Sequence, residues 1–376
     1  MSSLIYDGSN PQRWSITNAL RKIHIDAILL LGLLSLLGAG LMILYSAGDQ
    51  SSALMVRQLT RMAAAFFVLL FLANVHPDRM RDFSYWVYGA GLVLLIAVLA
   101  FGHEGKGAQR WLDLGFFRFQ PSEIMKLAVP LLVATYLAER PLAPSISRLI
   151  IALVMVIVPS LLIAKQPDLG TSLLIASSGL IVIFLSGISW RIIIGFITVC
   201  TSALPVLWYV MHDYQKKRVL TFLNPENDPL GAGYHIIQSK IAIGSGGLFG
   251  RGWLEGTQSH LAFLPERSTD FIFSVIAEEF GLLGVGGLLI LYLFIAGRGL
   301  YIASQAQTSF ARLLAGSISM TFLVYVFVNV GMVTGLLPVV GVPLPLVSYG
   351  GTSMVTLLAG FGILMSIHTH RRMMSP

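Results

Sequence analysis

Residues 25–47 read IDAILLLGLLSLLGAGLMILYSA, an apolar run long enough to cross a bilayer as one helix. The run carries no charged residue after Asp26. The whole chain of 376 residues is 55% hydrophobic and only 11% charged, against about 25% charged in a typical soluble domain. So few charges cannot cover a soluble core of this size, which excludes a soluble enzyme, a disordered chain and a disulfide scaffold. The composition predicts an all-α polytopic membrane protein.

Further apolar runs follow the first and predict about ten transmembrane helices in a single integral membrane domain over residues 1–376. The runs lie near 25–47, 54–75, 83–101, 122–138, 149–165, 170–188, 191–211, 271–297, 313–336 and 350–368. The fifth and sixth runs are short and close together, because residues 165–168 interrupt them. The first run follows the basic pair Arg21-Lys22, so we expect it to stay as an anchor rather than to be cleaved.

Basic residues in the short loops predict the orientation. With the N-terminus in the cytoplasm, twelve Lys and Arg residues fall on the cytoplasmic side, against Lys106, Arg110 and Arg118 in the outer loop after the third span. Both termini are then cytoplasmic, and one long outer loop covers about residues 212–270. This topology and anionic lipid explain the net charge of +7 better than a nucleic-acid partner does. We expect a multi-pass protein of the cytoplasmic (inner) membrane whose chemistry occurs at the outer face.

Ionisable residues inside the predicted spans are candidate functional groups, because they are costly in a bilayer. Glu123 and Lys126 lie three residues apart near the start of the fourth span, so they share one helix face and can pair. They form either a structural salt bridge or part of an outward-facing cavity in which Lys126 binds a substrate phosphate. Asp168 follows Pro167 and is well placed as a helix N-cap, and its carboxylate can also line the cavity.

The outer segments add cations, an indole and a carboxylate. Arg110 can clamp a phosphate, while Trp111 either stacks on a sugar or anchors the chain at the membrane interface. Asp270 lies at the start of the eighth span, where it is either an N-cap or a general base. At the last span, SYGGTS (348–353) either presents a helix N-terminus to a phosphate or packs small residues between helices.

The sequence contains no recognisable cofactor or metal motif. The glycine-rich residues 244–252 lack the register and the lysine of a nucleotide-binding loop, and no HExxH or CxxC spacing occurs. The lone Cys200 excludes a disulfide within the chain. Any reaction must therefore draw its free energy from the substrate itself.

Several short motifs in a fixed order resemble the SEDS family (shape, elongation, division and sporulation). They are GAQRWL (107–112), FQPSE (119–123) with Lys126, QPDLG (166–170), QSKIAIGSGG (238–247), FLPE (263–266), TDF (269–271) and SYGG (348–351). The match covers nearly the whole chain after the first twenty or so residues. Gln109 and GWLEGTQ (252–258) are more similar to the elongation, rod-shape member than to the division member.

The resemblance implies a peptidoglycan glycosyltransferase that polymerises lipid II into β-1,4 glycan strands at the outer membrane face during cell elongation. It implies that Asp270 is essential and that Trp111 is needed for activity. The residues matching polar positions of the family's central cavity are Glu123, Lys126 and Asp168. Ser268 stands where the family often has His, which argues against an obligatory imidazole at that position and leaves Asp270 as the candidate base.

The implied chemistry converts an α-linked pyrophosphate into a β-1,4 linkage, so the step should invert. One carboxylate suffices as the base, provided that cations stabilise the leaving pyrophosphate. Mg²⁺ or Mn²⁺ can accompany that pyrophosphate with few protein ligands. The candidate substrate-binding residues are Arg110, Trp111, Glu123, Lys126, Asp168, Lys240, Arg251, Glu266 and Ser348.

The resemblance also implies a class B penicillin-binding protein (a transpeptidase) as partner, with other elongation-complex proteins. We place the partner surface on the eighth and ninth spans, whose small residues allow close helix approach or else pack against the chain's own helices. Those residues are Gly281, Gly284, Gly286, Gly287, Gly297, Ala311, Ala315 and Gly316. The competing hypotheses are a lipid II flippase, which needs a cationic cavity but no base, and a non-catalytic scaffold for the transpeptidase.

Overall fold

A computed structural model describes residues 24–105, 108–113, 118–141, 143–211, 213–224, 232–257 and 266–370. Within these ranges the chain forms long helices and one small sheet. The helices are α1 Ala27–Ala47, α2 Ser52–Ala73, α3 Pro77–Phe101, α4 Pro121–Ala138, α5 Ile146–Lys165, α6 Leu169–Leu185, α7 Trp190–Val210, α8 Asp213–Leu223, α9 Ala232–Gly246, α10 Ile272–Ser304, α11 Ser309–Thr334 and α12 Thr352–Thr369. The strands are β1 His103–Gly105, β2 Ala108–Asp113 and β3 Arg118–Phe119.

The helices confirm the predicted spans. In the described part of the chain, eight helices are long and apolar enough to cross a membrane, and α6 and α7 contribute shorter apolar helices. The fifth and sixth spans are distinct, because α5 ends at Lys165 and α6 begins at Leu169. Both basic ends of the chain, 1–23 and 371–376, lie outside the described residues, so the orientation stays a prediction.

Two spans differ most from their predicted bounds. Helix α3 begins six residues earlier than expected, because Pro77 stands at its first position and the His76 ring accepts a hydrogen bond from the Asp78 amide at 3.2 Å. Helix α10 continues seven residues beyond the predicted end at 297. Charged and polar residues inside these two helices are therefore compatible with a membrane span where they pair with another side chain or lie at the membrane boundary.

The two polar outer segments contain regular structure that the hydropathy pattern does not show. The described part of the long loop includes α8 and α9, and α9 packs against α10 and α11. The segment before α4 forms an antiparallel sheet in the order β1-β2-β3, in which Leu112 pairs with Phe119. The fold is thus all-α in its membrane part, with a small sheet beside the start of α4.

Helix α10 is broken at Gly281, which has φ 63° and ψ −161°. The amides of Leu282 and Leu283 donate to the carbonyls of Gly247 and Leu248 at 3.0 and 3.1 Å. A Cβ atom at position 281 would lie 2.3 Å from the Gly250 amide nitrogen, so only glycine fits. The loop after α9 therefore seals the break and fixes the first part of α10, residues 272–280.

Buried polar contacts join distant helices at both ends of the bundle. The Ser46 hydroxyl of α1 donates to the Glu279 carboxylate of α10. At the other end, Asp26 accepts from Arg298 at 2.6 Å and lies 2.8 Å from the His368 ring. Because an apolar surround offers no water to these groups, each contact restricts how α1, α10 and α12 can move relative to one another.

Replacing Gly281 by Ala should lower the unfolding free energy by at least about 2 kcal/mol, since the methyl group meets backbone and the φ/ψ pair is a glycine conformation. Gly286→Ala, on the same helix, is the matched control: a Cβ there meets nothing within 4 Å, and Ala favours a helix. Thermal unfolding of both purified proteins in detergent measures the difference. Equal melting temperatures for the two variants would show that the break imposes no constraint.

Candidate functional site

Asp270 lies in a turn, residues 266–271, directly before α10. The amides of Thr269 and Phe271 donate to the Glu266 carbonyl at 3.0 and 3.3 Å, which extends the turn by one residue. Phe271 therefore occupies the N-cap, without a side-chain capping bond, and the N-cap interpretation of Asp270 is wrong. The half-buried Asp270 side chain faces Gly341, where an added Cβ would lie 3.5 Å from Oδ2. The carboxylate is thus positioned for another role.

The backbone of this turn is fixed by α11 and by the segment that connects α11 to α12. The buried Asn329 amide donates both to the Asp270 carbonyl at 2.9 Å and to the Val342 carbonyl at 2.7 Å. The Ser348 hydroxyl donates to the Thr269 carbonyl at 2.5 Å and accepts from the Leu344 amide at 2.8 Å. These bonds hold Asp270 without using its carboxylate.

Ser348 therefore has a different role from the one predicted. Its hydroxyl proton is used in the bond to Thr269, and α12 begins four residues later, at Thr352 with Gly351 as N-cap. Ser348 is not at the helix N-terminus because residues 344–349 form a turn of their own against the Asp270 turn. In the structure Ser348 positions that turn, and a contact with substrate stays a prediction.

A histidine reaches the Asp270 turn from α9. The His235 ring stacks on Phe271 with centroids 5.6 Å apart. Burial lowers the pKa of His235, an effect that the charge of nearby Glu266 partly opposes. Glu266 itself is exposed and accepts from the Thr269 hydroxyl at 2.8 Å. His235 of α9 thus packs beside the Asp270 turn.

Glu123 and Lys126 form the predicted pair, with Nζ 2.8 Å from Oε1 and both side chains buried. The other Glu123 oxygen accepts from the Thr356 hydroxyl of α12 at 2.8 Å. The Lys126 ammonium lies 5.5 Å from the centre of the Tyr325 ring of α11. The pair thus joins α4, α11 and α12, and a contact between Lys126 and a phosphate stays a prediction.

Asp168 fulfils its predicted N-cap role, since Oδ1 accepts from the Thr171 amide at 3.3 Å. Its other oxygen lies 3.4 Å from Arg110 Nε and 3.4 Å from the Gln120 amide nitrogen. Arg110 also donates to the Pro167 carbonyl at 2.9 Å. The buried carboxylate therefore anchors the β2 arginine to the start of α6.

The segment 340–342, which precedes α12, packs against the Asp270 turn as well as against α6 and α11. Gly170 of α6 lies against the segment 340–342, because a Cβ there would come within 2.6 Å of the Val340 carbonyl. Tyr325, which faces Lys126, packs with Val342. Since Gly341 lies beside Asp270, the segment 340–342 connects the Asp270 turn with α6 and with Tyr325 of α11.

A groove of about 1440 Å³ opens between α2, α3, α4 and α12, next to β2. Its walls are apolar over most of their length. Its polar lining includes Arg61, Arg79, Arg110, Trp111, Gln120, Glu123, Thr352 and Thr356. Of the sequence-predicted residues, Arg110, Trp111 and Glu123 line this groove, while Lys126 and Asp168 lie behind its wall.

The structure does not bring Lys240 and Arg251 to the groove. The Lys240 side chain packs over Gly335, where an added Cβ would lie 2.8 Å from Nζ. Arg251 donates to the Ser245 carbonyl at 3.3 Å and to the Thr257 hydroxyl at 2.7 Å. Both residues belong to the long loop that packs on α10 and α11, and a contact of either with the pyrophosphate stays a prediction.

The sequence analysis missed several residues that the structure places at the site. Arg61 is a charged residue inside the second apolar run, so the cost of a charge within a membrane span is a signal that could have identified it. Asn329, Tyr325, Thr356 and His235 gave no comparable signal, because a single polar residue on an apolar helix is common. Their roles follow only from the contacts described above.

Comparison with known proteins assigns the chain to a family. A family model described as "Cell cycle protein", which covers FtsW, RodA and SpoVE, matches residues 18–373. The chain is 55% identical over 355 residues to the peptidoglycan glycosyltransferase MrdB of Escherichia coli (strain K12), covering 94% of this chain and 96% of that one. It is 33% identical to the peptidoglycan glycosyltransferase RodA of Treponema pallidum (strain Nichols), covering 92% and 98%.

Solved structures agree with this assignment. A chain from a structure described as "Structural coordination of polymerization and crosslinking by a peptidoglycan synthase complex" superposes with a TM-score of 0.81 at 34% identity, covering 93% of this chain and 98% of that one. The rod shape determining protein RodA of Thermus thermophilus gives a TM-score of 0.70 at 30% identity, covering 91% and 96%. The chain therefore belongs to the FtsW, RodA and SpoVE family, the SEDS family that its motifs resemble.

Proposed function

We propose that this protein is a peptidoglycan glycosyltransferase of the cytoplasmic (inner) membrane that polymerises lipid II into β-1,4 glycan strands at the outer face during cell elongation. One observation carries the proposal: the hydrogen bonds from Asn329 and Ser348 to the backbone of the Asp270 turn fix that turn against α11 and the segment before α12, so the fold sets the position of the carboxylate that the family's motif carries. The family membership and the names of the relatives support the same activity.

In the proposed step, the 4-hydroxyl of the acceptor sugar gives its proton to the Asp270 carboxylate while its oxygen bonds to C1 of the donor sugar. The bond between C1 and the diphosphate oxygen breaks on the opposite face, and its electron pair leaves with the diphosphate. This displacement inverts the α linkage to β. The leaving group needs cations rather than a general acid, because it departs as an anion.

The groove supplies groups suited to the donor. Arg110 faces it from β2 and is fixed by Pro167 and Asp168, so its guanidinium is held in one orientation before substrate binds. Trp111 lines the groove beside it and offers a flat apolar surface to a sugar. Glu123 also lines the groove, whereas Lys126 lies outside the lining and orients Glu123 through their ion pair.

We propose that a divalent ion, Mg²⁺ or Mn²⁺, reaches the site on the substrate diphosphate rather than in a cage of protein ligands. In the described ranges, no three or more His, Cys, Asp or Glu side chains lie close enough to hold a metal ion. Mg²⁺ suits the first arrangement, because it commonly keeps several waters and takes its other oxygens from substrate phosphates.

A lipid II flippase is the second candidate, and the length of the groove favours it. The groove runs from Arg110 at one end to Arg79, in the first turn of α3, at the other. A lipid head group moving between the two membrane faces would meet a cation at each end. Such a protein has no need of a base at Asp270, which separates the two candidates experimentally.

We propose that a class B penicillin-binding protein contacts α10, with other elongation-complex proteins assembling around the pair. A Cβ added at Gly286, Gly287 or Gly297 meets nothing within 4 Å, so this face of α10 is open to a partner helix. The relative that shares this fold at a TM-score of 0.81 comes from a peptidoglycan synthase complex, which supports such an assembly.

The small residues of α11 do not belong to that surface, which corrects the prediction for the ninth span. Ala311 and Ala315 are buried, and a Cβ at Gly316 would lie 2.7 Å from the Leu185 side chain of α6. They are close-packed because α11 runs through the middle of the bundle, between α6 and α10.

Asp270→Asn should reduce polymerisation by about 10²–10⁴-fold, because the amide cannot accept the proton while the backbone clamp stays intact. Glycan strands made from lipid II by the purified protein measure the loss. Asp49→Asn, which removes the carboxylate paired with Arg267 beside the same turn, is the matched control and should keep most of the activity. Near-normal turnover by Asp270→Asn would exclude a carboxylate base at this position. If Asp270→Asn loses turnover but still moves lipid II across the membrane at the normal rate, the flippase is favoured.

Exchanging Glu123 and Lys126 tests whether the pair is only structural. The double variant Glu123→Lys, Lys126→Glu should recover much of the thermal stability that each single change loses, because the ion pair re-forms. We expect it to stay inactive, since the carboxylate then leaves the groove and Thr356. Stability and activity are measured on the same four proteins, and a return of activity together with stability would show that the pair has no role beyond the fold.

Cysteine crosslinking locates the partner. In a Cys200→Ser background, cysteines at Gly286 and Gly287 should crosslink to cysteines in the single membrane helix of the penicillin-binding protein. Cysteines at the exposed α5 positions Ile150 and Leu161 are the controls and should give no product. Equal crosslinking from α5 would contradict a partner surface on α10.

A further inference from the structure

Three histidines meet where α1 begins and α12 ends, on the predicted cytoplasmic side. The His24 and His370 rings lie almost parallel, with planes 6° apart and centroids 4.0 Å from each other. The His76 ring, directly before α3, contacts His370 edge-on with centroids 5.1 Å apart. Imidazoles from three distant parts of the chain therefore form one histidine cluster, His24, His76 and His370.

The hydrogen bonds of the stacked pair show which ring nitrogen carries the proton. The Thr369 hydroxyl donates to the Met365 carbonyl at 2.8 Å, so it accepts from Nδ1–H of His24 at 3.1 Å. His370 donates through Nδ1 to the Ser366 carbonyl at 3.1 Å. In the neutral form of each ring, Nε2 is therefore the nitrogen that can take up a second proton.

His76 uses its Nδ1 in the opposite sense. This nitrogen accepts from the Asp78 amide at 3.2 Å and so caps α3. A proton on Nδ1 would end the capping bond, although the Asp78 carboxylate, 3.4 Å away, would then pair with the ring. In the described part of the chain, neither His24 nor His370 has a carboxylate within ion-pair distance, so the stacked pair gains no such compensation.

A second polar group beside the cluster responds to acid in the other direction. Asp26 accepts from Arg298 at 2.6 Å and lies 2.8 Å from the ring of His368. A protonated His368 ring binds this carboxylate more strongly than a neutral one. Acid therefore strengthens the contact of His368 while it weakens the stack of His24 on His370.

The backbone of His24 adds to this sensitivity. Its φ of 55° lies in the left-handed region, which costs energy for a residue other than glycine. The stack on His370 and the bond to Thr369 hold His24 in this conformation. Once the rings separate, the backbone can relax, which favours the open state.

The cluster joins segments that do not otherwise follow one another. Residues 1–23 precede His24 and residues 371–376 follow His370, so the described fold begins and ends at the stacked pair. Ser366, one turn before His370, donates to the carbonyl of Val75, which directly precedes His76. Val75 also lines the inner end of the groove, so the junction borders the groove wall.

We propose that the histidine cluster is a pH-sensitive contact, which holds the start of α1, the connection between α2 and α3 and the end of α12 together at neutral pH and releases them in acid. Two protonated rings repel each other at a separation of 4.0 Å, because little water screens them. Histidine protonation between about pH 5 and 6 opens contacts in this way in pH-sensing proteins. The proposal is independent of the glycosyltransferase function, since no step of the reaction uses these rings.

The direction of the pH effect follows from His370. Burial is the main cause that lowers the pKa of His370; the bond to the Ser366 carbonyl raises it in part, and His24 and His76 lower it further. A histidine whose pKa is lower in the fold stabilises that fold in its neutral form. The contribution is therefore complete above about pH 6.5, the ordinary pKa of histidine, and is lost as the pH falls below it.

Hydrogen–deuterium exchange of the purified full-length protein, read by mass spectrometry at about pH 7.5 and about pH 5.5, tests the proposal. Labelling times are scaled to the chemical exchange rate at each pH, so that only the opening of structure is compared. Acid should speed exchange at residues 366–370 by about 10-fold. Residues 356–362, in the middle of the same helix, should not change.

His370→Phe is the deciding variant, because phenylalanine keeps a flat ring that stacks on His24 but takes up no proton. It should keep slow exchange at about pH 7.5 and lose the acid response. His24→Phe, on the other side of the stack, should give the same result. The matched control is His235→Phe, which removes a histidine at the opposite end of the bundle and should keep the full acid response.

Three outcomes would overturn the proposal. One is an unchanged exchange rate at residues 366–370 in acid, and another is an acid response that persists in both His370→Phe and His24→Phe. The third is a response that disappears only in His368→Gln, which would assign the proton to the Asp26 group instead. Melting temperatures at about pH 7.5 confirm that each variant is folded before its exchange is compared.

Discussion

The side-chain amide of Asn329 is the bond on which the rest of the site depends. One nitrogen donates to the carbonyls of Asp270 and Val342, so it fixes the turn before α10 and the segment after α11 in a single contact. Asn329 is fully buried, and an unsatisfied carbonyl in that position would cost about 1–3 kcal/mol. The position of the Asp270 carboxylate is therefore set by bonds to backbone atoms of its own turn.

The buried charged residues of α4 and the start of α6 also need partners, because a charge in an apolar surround is stable only when another group compensates it. Glu123, Lys126 and Thr356 satisfy one another across α4 and α12, and Asp168 anchors Arg110. These contacts are structural, yet they set the orientation of the groups that face the groove. The structural and functional interpretations of such residues are therefore compatible, because a buried ion pair can fix the orientation of the side chains that line the groove.

Arg61 is the exception, and its neighbours explain why it is tolerated. The Tyr349 ring and the start of α12 orient the guanidinium, while the groove gives it access to polar ligands. At Gly281 the loop after α9 meets a similar need, because its backbone carbonyls accept the hydrogen bonds that the break in α10 removes.

The sequence by itself determined the number of spans, the pairing of Glu123 with Lys126 and the capping role of Asp168, because these depend on local spacing and composition. It also singled out Asp270, through a motif that the family shares. Only the tertiary structure decided that Phe271 rather than Asp270 caps α10, that Ser348 clamps the turn, and that Lys240 and Arg251 lie away from the groove. Those outcomes depend on contacts between segments distant in the chain, such as the Ser348 hydroxyl and the Thr269 carbonyl, and hydropathy carries no record of such contacts.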